Sequence, residues 1–124
     1  MIALDTSSTI AFLSGEGGSD VAAVEEALRF RKGIFPPVVV TELLSDPAVR
    51  SEVGTLIRAV PRLEVLDGYW ERAGELRARL LRRGLKTRLA DTLIAQSCID
   101  HEVALVTRDR DFRNFTTHAD LTLE

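Results

Sequence analysis

The sequence predicts an α/β fold, a three-layer sandwich with a central, mainly parallel sheet flanked by helices. Two observations carry this. Short apolar runs alternate with longer segments whose apolar residues recur at helical spacing, the pattern of strand–helix–strand units. One of those runs, Val103–Val106, is apolar without alternation, as in a strand covered on both faces. No internal repeat, low-complexity tract or linker interrupts the 124 residues, so residues 1–124 read as one domain.

Met1–Leu4 is a short apolar strand, ended by Asp5-Thr6-Ser7-Ser8, whose polar side chains suit a helix start before Ile10–Leu13. After the Gly-rich loop Glu16–Ser19, Asp20–Lys32 places Val21, Val24, Ala27 and Leu28 on one helical face. Gly33–Phe35 is a brief extended piece, and Pro36-Pro37 opens a helix through Leu44, because proline is tolerated in a first turn. Asp46-Pro47 breaks that helix, and Ala48–Val60 forms the next, ended by Pro61 before a strand at Leu63–Leu66. Gly68–Arg83 is expected to be the longest helix, with Trp70, Ala73, Leu76, Leu80 and Leu81 inward and Gly84 as its C-cap. Thr87–His101 is a further helix leading to the strand Val103–Val106, and Leu121–Leu123 suits a final edge strand.

Composition excludes several classes. A chain of this size can bury roughly two-thirds of its extended surface, enough for a core without staples. The lone Cys98 cannot form an internal disulfide. No apolar run approaches the ~20 residues of a membrane helix. The N-terminus does not resemble a secretion signal, so the expected setting is the reducing cytoplasm, away from membranes. Net charge is −3, but its distribution is uneven: Arg72–Arg88 holds seven basic residues and one acidic.

Asp5 directly follows the first strand, and Asp109 and Asp111 follow the strand at Val103–Val106. In a parallel sheet those ends share one edge, where ligands bind in α/β folds. Singly, each could be a turn former or helix cap. Asp91 and Glu42 are harder to dismiss. At about 100° per residue, Asp91 shares a face with Ile94, Ala95 and Cys98, and Glu42 lies beside Val38 and Val39. Both carboxylates are therefore expected to face the core, where a charge needs a partner or a metal. Salt bridges to Arg88 and Arg108 are the plain alternative. The economical reading gathers Asp5, Glu42, Asp91 and one or both of Asp109 and Asp111 into a site for Mg²⁺ or Mn²⁺, cations that prefer oxygen ligands. With those five set aside, the remaining acids are outnumbered by the 16 bases, and much of the excess lies in Arg72–Arg88. An acidic pocket beside a basic helix suits a phosphodiester chain.

Four segments carry a family resemblance. Asp5-Thr6-Ser7 after Ile2-Ala3-Leu4, Thr41-Glu42-Leu43-Leu44, Leu89-Ala90-Asp91-Thr92-Leu93-Ile94-Ala95, and Thr107-Arg108-Asp109-Arg110-Asp111-Phe112 resemble, in order, the four acidic motifs of the PIN-domain nucleases. Size and single-domain form are most similar to the VapC toxins of toxin–antitoxin pairs. The resemblance implies a ribonuclease that uses Mg²⁺ or Mn²⁺, is often a homodimer and is inhibited by an antitoxin protein. Carried over by position, Asp5, Glu42, Asp91 and Asp109 are the acidic quartet, and Asp111 is an additional or alternative ligand. Thr6 and Thr107 would orient a carboxylate, water or phosphate. Arg79, Arg82 and Arg83 are the expected RNA contacts. Two rivals remain. A response-regulator receiver needs a lysine after the last strand, and neither Lys32 nor Lys86 supplies one. A PIN-like module that binds RNA or an antitoxin without turnover is the other.

Overall fold

The computed structural model describes residues 1–124. The chain runs β1 (Ile2–Leu4), α1 (Thr6–Leu13), α2 (Ser19–Arg29), β2 (Gly33–Ile34), α3 (Pro37–Leu44), α4 (Ser51–Ala59), α5 (Tyr69–Arg82), α6 (Leu89–His101), β3 (Leu105–Val106), a 3₁₀ turn (Arg110–Phe112) and α7 (Arg113–His118). The sheet is parallel in the order β2-β1-β3, with Ile2 opposite Gly33 and Ala3 opposite both Ile34 and Leu105. β1 is thus the central strand. The chain leaves it toward β2 and returns past it to β3. Right-handed crossovers in those two directions place α1 and α2 on one face and the helices after β2 on the other.

Two expected strands, at Leu63–Leu66 and Leu121–Leu123, contract to single bridges at or beside those positions. Phe35 pairs in parallel with Arg62, and Leu105 with Leu123. Leu63 is buried, but Val65 and Leu66 are exposed, so nothing holds the chain against the sheet beyond Leu63. At the other edge, Leu105 donates to Thr122 and accepts from Glu124, a real but minimal pairing.

Leu4, Val24, Phe35, Val39, Ile57, Leu80, Ile94, Leu105, Phe112 and Phe115 are almost fully enclosed in one cluster. Each such side chain contributes about 1.5–3 kcal/mol relative to exposure. The inward stripe of α5 differs from the expected one. Tyr69, Ala73, Leu76 and Leu80 are buried, whereas Trp70 is 60% exposed and Leu81 also faces solvent. The reason is a tertiary contact: the Tyr69 hydroxyl donates to the Leu93 carbonyl at 2.6 Å, fixing the helix rotation and leaving Trp70 edge-on against the Tyr69 ring.

Candidate active site

The carboxyl ends of β1 and β3 are adjacent, since the Asp5 amide donates to the Val106 carbonyl at 3.0 Å. Asp5 occupies the N-cap position of α1, yet its side chain caps nothing. It is 3% exposed, and its Oδ2 accepts from Ser7 Oγ and from Thr107 Oγ1, both at 2.7 Å. Thr107 Oγ1 in turn accepts from the Asp109 amide at 3.0 Å. The hydroxyl therefore ties the turn after β3 to the carboxylate after β1. Asp109 does cap: its Oδ1 accepts from the Asp111 amide at 2.9 Å, starting the 3₁₀ turn.

Asp91, in the first turn of α6, enters this edge from a third element. One carboxylate oxygen from each of Asp91, Asp109 and Asp111 lies within 4.8 Å of the others. Asp91 Oδ2 is buried and has no hydrogen-bond partner. Burial pushes the Asp91 carboxyl up to about 6; the charges of Asp109 and Asp5 add to this, with Glu42 behind them, and Arg88 opposes it. Asp5 stands beside this trio rather than within it. Its charge also reaches Cys98, whose thiol is pushed up to about 12, mainly by burial. A thiol held so high is inert packing.

Glu42 corrects an expectation. It does not face the core; it is exposed at the rim, where Oε1 accepts from Thr6 Oγ1 at 2.6 Å. The buried arc of α3 is Val39, Val40 and Leu43, and Glu42 lies roughly 100° from its centre.

The donor set suits a hard divalent cation. All three converging groups are carboxylates with oxygens within 4.8 Å of one another, and a cation held by them would supply counter-charge to Asp91, whose buried Oδ2 no protein donor satisfies. The salt-bridge alternative is not supported for Arg108. That side chain turns to the other side of the chain, onto Asp20, Glu16 and the Gly17 carbonyl.

The basic residues divide. Arg79 and Arg82 line a cavity of about 370 Å³ with Arg72, Glu75, Gln96 and Asp120, and Arg79 also donates to the His118 carbonyl at 3.2 Å. Arg83 is exposed. None of the three pairs with the acidic trio. The base that does is Lys86, whose Nζ is 3.4 Å from Asp111 Oδ2. Sequence reasoning singles out neither Lys86 nor Ser7 for this site. Ser7 is accessible to it, two residues after Asp5, whereas Lys86 depends on the α5–α6 loop meeting the 3₁₀ turn.

A parallel α/β sheet whose central and neighbouring strand ends gather carboxylates from three separate segments defines an acid-cluster α/β domain. Residues 2–117 match the family model of the PIN domain, and the chain belongs to that family. Among solved structures it is similar to a chain of VapBC2 from Rickettsia felis bound to a DNA fragment from its promoter, with TM-score 0.76, 22% identity, and coverage of 100% of this chain and 98% of that one. It is also similar to a chain of VapBC-5, a member of the VapBC family of toxin–antitoxin systems from Mycobacterium tuberculosis, with TM-score 0.66, 22% identity, and coverage of 98% and 95%. No curated protein matches the chain by sequence.

Proposed function

We propose that this PIN domain is a metal-dependent ribonuclease, a single nuclease domain acting as the toxin of a toxin–antitoxin pair. The observation that carries the reading is the Asp91 carboxylate, which lies within reach of Asp109 and Asp111 and whose buried Oδ2 has no hydrogen-bond partner. A purely structural carboxylate would be hydrogen-bonded there. Asp91, Asp109 and Asp111 would hold Mg²⁺ or Mn²⁺, with Asp5 beside them. Such a cation supplies Lewis acidity toward a phosphodiester and lowers the pKa of water next to it. Asp5, fixed by Ser7 and Thr107, orients water at the buried side of the site. Glu42, held through Oε1 by Thr6, keeps Oε2 available at the open rim to accept a proton from the attacking water.

The antitoxin part of the reading is supported by the complexes in which the similar folds were solved. It is also supported by an apolar groove beside Glu42, lined by Ile10, Leu13, Leu43, Val49 and Val53. An antitoxin segment would cover that surface and place a basic side chain toward the acids. A cytoplasmic homodimer completes the reading.

The test is incubation of the purified chain with structured RNAs in Mn²⁺, with EDTA as control. Cleavage should leave 5′-phosphate and 3′-hydroxyl ends, stop in EDTA, and fall by about 10²-fold or more in the Asp5→Asn/Asp91→Asn double variant. Cleavage that persists in EDTA or in that variant refutes the reading. RNA binding without any cleavage converts the protein to a non-catalytic module.

A further inference from the structure

We infer that Lys86 is a contact for the RNA phosphate at the acidic trio, held against Asp111 until a cation and a phosphate replace that pairing. The inference rests on the ribonuclease reading and assigns the substrate contact to the α5–α6 loop rather than to the outer face of α5.

The ion pair itself explains little. Lys86 Nζ is 3.4 Å from Asp111 Oδ2, with the two side chains 61% and 34% exposed. Pairs this open contribute little to stability, so stability does not account for the placement. The backbone beneath it is firmly held. The Lys86 carbonyl accepts from Asn114 Nδ2 at 3.2 Å, and the Thr87 carbonyl from Arg77 Nε at 3.0 Å. Thr87 Oγ1 closes the turn on the Leu85 carbonyl at 3.0 Å. A rigid loop thus presents a flexible, solvated ammonium at the mouth of a carboxylate site. A dication held by the trio would repel that ammonium, and a phosphate bound there would offer it a new acceptor. Arg79 and Arg82, by contrast, share their cavity with Glu75 and Asp120, which offset their charge locally.

This predicts responses of opposite sign in one variant. Lys86→Ala removes a competing positive charge, so Mn²⁺ should bind about three- to tenfold more tightly by calorimetric titration. Binding of a short single-stranded RNA, measured with Mn²⁺ in the Asp5→Asn background to prevent turnover, should weaken by a similar factor. Its salt dependence should flatten by ~0.7 in log slope. Lys86→Arg should restore RNA binding, and Arg79→Ala/Arg82→Ala should change it less than Lys86→Ala does. Tighter Mn²⁺ with unchanged RNA binding overturns the inference, leaving Lys86 as a charge shield. Weakening of both overturns it too, as a structural effect. A parent chain that binds RNA with Mn²⁺ but never cleaves it, combined with the opposite-sign response, would uphold the contact while refuting the ribonuclease. No RNA binding by the parent refutes both.

Discussion

Helix α6 carries Asp91 in its first turn and Asp100 near its end, and the protein treats them in opposite ways. The Asp100 side chain is 7% exposed and accepts three hydrogen bonds: from Arg72 Nε and Nη2 at 3.0 and 2.6 Å, and from Gln96 Nε2 at 2.8 Å. Burial would raise its carboxyl, but the hydrogen bonds from Arg72 and Gln96 outweigh burial and hold it below the ordinary range. Asp91 sits at the helix end whose dipole favours a carboxylate, yet it is pushed up to about 6 because burial is joined by like charges and only Arg88 opposes them. Burial alone therefore does not separate a carboxylate left open to a ligand from a structural one. The separation lies in whether the surrounding sequence completes the carboxylate's hydrogen bonds or leaves them open.

The largest expected effect comes from the satisfied member. Asp100→Ala strips Arg72 and the buried Gln96 amide of their acceptor. Because Arg72 is 40% exposed and can rehydrate, the loss should be about 2–3 kcal/mol, roughly 10 °C in Tm, rather than the full cost of a stranded buried charge. Its Mn²⁺ response should be intact. Asp91→Asn should act in the other direction. A carboxyl raised in the folded state favours folding less as it ionises, so the metal-free parent loses stability as pH rises from about 4 to about 6. That displacement corresponds to at most ~3 kcal/mol, and relaxation around the substituted amide would not recover all of it. In EDTA at pH 8 the variant should exceed the parent by about 2 kcal/mol, with the advantage gone at pH 4. Mn²⁺ at 100 times its Kd should add ~2.7 kcal/mol to the parent and much less to the variant. Denaturant titrations at both pH values decide it: a destabilised Asp91→Asn with an undiminished Mn²⁺ response would make Asp91 a second Asp100.

The contrast on α6 is half legible in the sequence. Asp91 can be placed because Ile94, Ala95 and Cys98 fix the inward face of its helix, and Asp5 and Asp109 because each closely follows an apolar strand. Glu42 is misplaced by its sequence neighbours for a physical reason. Val38, Val39, Val40, Leu43 and Leu44 make α3 apolar nearly all round, so the sequence contains no single buried face, and packing chooses Val39, Val40 and Leu43. Trp70 and Tyr69 pose the same difficulty, one residue apart at a helix start, resolved only by a hydrogen bond to Leu93 across to α6. The Lys86–Asp111 and Arg72–Asp100 pairs join segments distant in the chain, and no local pattern encodes which arginine or lysine reaches which acid.

A third aspartate sharpens the comparison at the smallest scale. Asp20, at the start of α2, accepts from Arg108 Nε and from Ser8 Oγ, each at 2.8 Å. The Arg108 hydrogen bond leads in pulling its carboxyl down to about 2, against the cost of burial and with help from Ser8. A carboxyl lowered on folding contributes stability that is present above the unfolded value near 4 and lost as pH falls toward 2, the reverse of Asp91. Arg108 is one-third exposed, so the contribution is discounted to about 1 kcal/mol. The metal-free protein should therefore gain stability from Asp91 as pH falls from 6 to 4 and lose it from Asp20 below 4, passing through a maximum near pH 4. Asp20→Asn should cost about 1 kcal/mol at pH 7 in EDTA, and that cost should shrink as pH approaches 2 while the Asp91 limb between 4 and 6 stays unchanged. Arg108 lies between Thr107 and Asp109, so releasing it also tests whether the Asp20 anchor stiffens the turn that Thr107 ties to Asp5. A cost for Asp20→Asn that is the same at pH 7 and pH 2 would show that the Arg108 pairing is not electrostatic and would remove Asp20 from the satisfied class.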